Sequence, residues 1–254
     1  MMDLLADPRV RLGAGTAVLL ATAMAARRDR VGPCETAAFR AVNDLPGSLY
    51  PPAWVVMQLG TLGAAPAAAG AAWLAGDREL AVRLLAGGTS AWVLSKAVKL
   101  IVGRPRPASL VPGTHCHGRD AAGLGYLSGH AGVAVALGAA ALPRLGRAGR
   151  ALTLSAVPAV GLSRIYVGAH LPLDVVGGAA LGLVIDAALT LVIDGTAEHP
   201  GAGVSTAGTP NGRACQQRTL AASVVTRSGS ESECARESAL LVRDDERPLP
   251  GRDG

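Results

Sequence analysis

The sequence predicts an all-α fold, a polytopic membrane helix bundle of about six transmembrane helices, and three observations carry that expectation. Half of the 254 residues are hydrophobic, yet only 3% are aromatic and a single Phe is present. A large water-soluble core is normally built with more aromatic bulk. Ala, Leu, Val and Gly instead fill long stretches broken by short Arg-containing segments, the texture of close-packed membrane helices. Several of these stretches approach the ~20 apolar residues that an α-helix needs to cross a hydrocarbon layer of about 30 Å.

The first span is 12–26, followed by Arg27 and Arg28 where a cleaved leader would carry a small-residue site, so it is read as an anchor that stays. The second, 53–76, runs from Ala53 to Gly76 without a charge. The third, 80–102, is interrupted by Arg83, Lys96 and Lys99. The fourth and fifth, 130–142 and 151–167, fall short of a full crossing, so they are expected to tilt or to be shielded by neighbours. The sixth, 172–193, holds Asp174 near its start and Asp186 inside. Between spans three and four, Gly103-Arg104-Pro105-Arg106-Pro107 must leave the helix. From Ala197 the texture turns to Gly, Ser, Thr, Arg and acidic residues with no apolar period, too polar to offset its own ordering entropy. The expected organisation is a membrane-embedded domain over 1–196 and a disordered polar tail over 197–254.

Charge narrows the partners. The net +5 divides into +6 over residues 1–196 (17 basic, 11 acidic) and −1 over 197–254 (7 basic, 8 acidic). The basic part is the apolar part, which suits membrane lipids and phosphate; no aromatic-plus-basic stripe for nucleic acid is present. Cys34, Cys116, Cys215 and Cys234 lack a C-x-x-C spacing or a metal-ligand pattern, so neither metal nor cofactor is expected. His115 and His117 read as packing residues.

Ionisable side chains in or beside membrane spans are costly and tend to be functional. Lys99 and Arg106 stand at the end of span three, His130 at the start of four, Arg164 at the end of five, and His170 and Asp174 at the start of six. In an up-and-down bundle all four termini share one side. Three cations there suit a phosphate, since Arg forks bind its oxygens bidentately and Lys adds a point charge. The turn Ser128-Gly129 opening a helix can aim N–H groups and a hydroxyl at the same anion. Two histidines supply a nucleophile and a proton donor without metal, and Asp174, four residues after His170, can hold its ring.

The same residues resemble three elements of the type 2 phosphatidic acid phosphatase superfamily. Lys99-Leu-Ile-Val-Gly-Arg-Pro-Arg106-Pro107 is similar to its K-x6-R-P element. Leu127-Ser128-Gly129-His130 is similar to P-S-G-H, with Leu127 in place of the usual Pro, and Ser163-Arg164 through His170 to Asp174 is similar to S-R-x5-H-x3-D. The resemblance implies that His170 forms a phosphohistidine, Asp174 supports it and His130 protonates the leaving group. It also implies that Lys99, Arg106, Ser128, Gly129 and Arg164 hold the phosphate. The expected activity is hydrolysis of a lipid phosphate monoester or diphosphate, such as a polyprenyl diphosphate or phosphatidic acid.

A phosphotransferase would use the same site with an alcohol as acceptor. A non-catalytic lipid-binding scaffold would need the cations and not the general acid. Arg104 is expected to contact a headgroup or to back the site, Lys96 to join the site or snorkel to the interface, and Asp186 to pack helices or lie at the interface. Inner segments carry seven arginines (9, 11, 78, 83, 144, 147, 150) against five outside (27, 28, 30, 40, 119), so the expectation is a plasma-membrane protein with its site outward. The oligomeric state is left open.

Overall fold

A computed structural model describes residues 7–28, 30–118 and 123–197. These lie in the first of two units of the chain, Met1–Gly203. The expected polar tail, and Cys215 and Cys234 with it, falls outside the described residues.

All described regular structure is helical: α1 Pro8–Ala26, α2 Pro33–Asn43, α3 Tyr50–Met57, α4 Ala64–Leu74, α5 Arg78–Val102, the short α6 Pro107–Leu110, α7 Gly129–Ala141, α8 Arg147–Tyr166 and α9 Pro172–Ala197. Each expected span corresponds to a helix, but the second is broken. α3 and α4 meet across the turn at Gln58–Gly60 at 66°. By length and hydropathy two described helices can cross a membrane unaided, the third and sixth expected spans, and a third can if α3 and α4 count as one bent span. α2 was not anticipated. Its eleven residues hold Glu35 and Arg40 and lack a long apolar run.

Local chemistry sets the boundaries. Asp77 caps α5 by accepting the Leu80 N–H at 3.0 Å. Gly103, left-handed at φ 72°, ends that helix by donating its N–H to the Lys99 carbonyl at 2.9 Å. Ser128 caps α7, and Pro172 opens α9 where a missing N–H is no loss.

α9 packs along α1 on one side and α7 on the other, and α7 also packs on α5. Small residues permit this. A Cβ on Gly182 would stand 2.5 Å from the Gly132 carbonyl, and one on Gly88 2.5 Å from the Ala65 Cβ. Large apolar side chains such as Leu20, Leu74, Leu100, Ile101 and Leu152 point outward, as lipid-facing surfaces require. Asp186, buried in α9, pairs with Arg11 of α1 and, at 3.3 Å, with Arg83 of α5. It serves helix packing, as expected of it.

Candidate active site

The four helix termini that the sequence placed on one side do converge. A cavity of about 200 Å³ is lined by Lys99, Arg106, Gly129, His130, Arg164 and His170, together with Trp92, Ser95 and Lys96 of α5. Ser128 and Asp174 are fully buried behind it.

Each cation is oriented by a backbone or sulfur partner. Lys99 Nζ donates to the carbonyls of Gly125 at 2.9 Å and Leu124 at 3.2 Å. Arg106 Nη1 donates to Ala169 O at 2.7 Å, and Arg164 Nη1 lies 3.0 Å from Met57 Sδ. A buried Arg164 Nε has no protein partner. Lys99 and Arg164 are thus held by neutral groups, so their charge remains directed at the cavity.

The loop preceding α7 is fixed from two sides. The Tyr126 hydroxyl donates to Leu19 O of α1 at 3.1 Å, and the Gly125 N–H donates to Arg104 O at 2.7 Å. The Ser128 hydroxyl accepts the Ala131 N–H at 3.4 Å and so serves as the helix cap, while Gly129 lines the cavity. His130, in the first turn of α7, meets Trp92 edge-on at a centroid distance of 5.9 Å.

His170 lies in the turn joining α8 to α9, where Gly168 takes φ 73°. A side chain at Gly168 would also press on the His115 carbonyl, 2.6 Å from its Cβ. His170 Nδ1 faces Asp174 Oδ2 at 3.6 Å. Burial pushes the His170 imidazole down to about 4, with Asp174 opposing the shift and Lys99 and Arg164 adding to it. The ring is neutral at physiological pH. A proton on Nδ1 toward the carboxylate leaves the lone pair on Nε2.

Sequence reasoning passed over Trp92 and Ser95, which only their i−7 and i−4 spacing from Lys99 on α5 could have pointed out. Arg104 turns away from the cavity. Its Nη1 donates to Asp174 Oδ1 at 2.8 Å, so it backs the site and does not reach a headgroup. His117 stacks on Tyr166 at 4.3 Å, and His115 lies 3.4 Å from Asp44. Among the described residues no group of three or more His, Cys, Asp or Glu is placed to hold a metal ion.

Residues 80–196 match the family model of the PAP2 superfamily. No curated protein matches the chain significantly. Two solved structures share the fold. The crystal structure of Aquifex aeolicus LpxE is 22% identical, covering 61% of this chain and 93% of that one, with a TM-score of 0.55. That of a transmembrane PAP2-type phosphatidylglycerolphosphate phosphatase from Bacillus subtilis is 20% identical, covering 76% and 98%, with a TM-score of 0.57. Residues 80–196, which hold every motif residue of the cavity, are thus similar to the PAP2 superfamily, and the fold is the one these two solved structures share.

Proposed function

We propose that the protein hydrolyses a lipid phosphate monoester or diphosphate through a phosphohistidine on His170, without a metal ion. The observation that carries this reading is one cavity lined by two imidazoles and the cations Lys96, Lys99, Arg106 and Arg164, with a buried carboxylate behind one imidazole.

His170 Nε2 attacks phosphorus, and the bond to the leaving oxygen breaks as His130 delivers a proton to it. Charge on the equatorial oxygens is met by Lys99, Arg106 and Arg164, held in place before the reaction begins. Asp174 stabilises the positive imidazole as the new P–N bond forms. A water then gives its proton to His130 and attacks phosphorus, the P–N bond breaks, and inorganic phosphate leaves with His170 restored.

A lipid substrate is supported by an apolar groove of about 810 Å³ among α4, α5, α7 and α8. Its lining includes Ala134 and Val160, each one helical turn from His130 or Arg164. We place the protein in the plasma membrane with the cavity facing outward. Purified protein offered a panel of phosphatidic acid, phosphatidylglycerol phosphate and polyprenyl diphosphate should release phosphate from at least one and trap an acid-labile phosphoenzyme. Phosphate release without any phosphoenzyme in rapid-quench samples would refute the covalent route.

A further inference from the structure

We infer that Glu35 and Arg104 form a buried clamp that positions Asp174 against His170; the inference rests on the phosphohistidine reading. Arg104 is 3% exposed and joins two carboxylates. Toward α2 it makes a two-point contact, Nη1 to Glu35 Oε1 at 3.0 Å and Nη2 to Glu35 Oε2 at 2.8 Å. Toward α9 the same Nη1 reaches Asp174 Oδ1 at 2.8 Å. The other Asp174 oxygen accepts the Leu171 N–H at 2.8 Å and faces His170 Nδ1 at 3.6 Å. Glu35 Oε1 in turn accepts the Leu173 N–H at 3.2 Å in the first turn of α9.

Three charges taken out of water are a poor device for stability, because desolvation consumes most of the Coulomb gain. What such a cluster fixes is direction. A carboxylate bound through one oxygen to Leu171 alone can swing about its χ angles. Held at both oxygens, Asp174 has a single orientation, with Oδ2 toward the imidazole. Arg104 suits the task because a planar guanidinium serves two carboxylates at once, which an ammonium does not reproduce. Glu35 keeps the guanidinium from turning toward the cavity, where phosphate would compete for it. Neither residue lines the cavity. They are positioning residues acting through Asp174, and they make α2, a helix outside the motif-bearing segment, part of the catalytic machinery.

The test is a double-mutant cycle with purified full-length protein. Arg104→Lys and Glu35→Gln are measured alone and in an Asp174→Asn background, with kcat, KM, vanadate inhibition and phosphoenzyme formation as readouts. Arg104→Lys should lower kcat about 10- to 100-fold, the scale of a misplaced catalytic group. KM and vanadate affinity should stay within about threefold, because Lys99, Arg106 and Arg164 are untouched. In the Asp174→Asn background the further loss should shrink to less than about threefold, since residues that act through one group are non-additive. Glu35→Gln, which keeps shape and one acceptor, should show the same pattern with a smaller loss, and it carries the test if Arg104→Lys does not fold. Equal losses in both backgrounds, a rise in KM or vanadate constant matching the loss in kcat, or unchanged turnover would each overturn the inference. Wild-type turnover in a His170→Gln control would instead bring down the phosphohistidine reading.

Discussion

The backbone N–H of Ser128 donates to the backbone carbonyl of Asp174 at 2.8 Å, joining the turn that opens α7 to the first turn of α9. The helix that presents His130 and the helix that supports His170 are therefore tied at the site itself. Gly178, one turn beyond Asp174, lies so close that any Cβ there would strike the Ser128 carbonyl.

Gly178→Ala should for this reason force α7 and α9 apart. Overpacking of this kind costs about 1–3 kcal/mol, and the displacement falls on the catalytic groups. We expect a lower unfolding temperature in detergent together with a loss of kcat. A variant that kept both would show that the contact relaxes without moving the helix.

His170→Gln should abolish turnover and the phosphoenzyme together. His130→Gln should retain the nucleophile but slow its phosphorylation by about 10²- to 10⁴-fold, the usual weight of a positioned acid. The slowing should be greatest for leaving groups that are poor without a proton. Equal slowing across a leaving-group series would assign His130 to binding and not to proton transfer.

Turnover should persist in excess chelator, since the field at the cavity comes from Lys99, Arg106 and Arg164. Vanadate, which imitates five-coordinate phosphorus, should inhibit. Loss of activity in chelator with recovery on adding Mg²⁺ would contradict the mechanism.

The depressed His170 value bears on pH in two ways. Phosphoenzyme formation at saturating substrate should show no acid limb at the ordinary histidine value of 6.5, because the folded imidazole stays neutral down to about 4. An acid limb near 6.5 that persisted in His130→Gln would refute this. For stability the sign is that of a group whose folded value lies below its unfolded one. The contribution is complete above 6.5 and declines as pH falls toward 4, by about 3 kcal/mol in all. His170→Gln should flatten that part of the stability profile.

Sidedness can be read at Cys34, which is exposed on α2 next to Glu35 and so marks the catalytic end. With the other three cysteines replaced, an impermeant thiol reagent should label it in intact cells. Labelling only after permeabilisation would place the site inside.

The motif-bearing helices were legible because their signals are local: Pro172 opens α9, Gly103 and two prolines end α5, and apolar runs lie between. The break at Gln58–Gly60 was not, since 53–76 is uniformly apolar and nothing in it punctuates a bend of 66°. α2 was missed because its value is tertiary; a short helix with one Glu looks like a polar connection until Arg104 is seen beside it. Arg104 was legible in part, as a residue that backs the site or contacts a headgroup. Two arginines flank Pro105, and packing against Asp174 decides between the two expectations for Arg104.

The turn that carries His170 has little freedom to change length. The turn between Tyr166 and Pro172 holds Gly168 against the His115 carbonyl, gives Ala169 O to Arg106 and presents His170, so three consecutive residues each have a fixed station. One residue added or removed there would shift His170 out of reach of both Asp174 and the cavity.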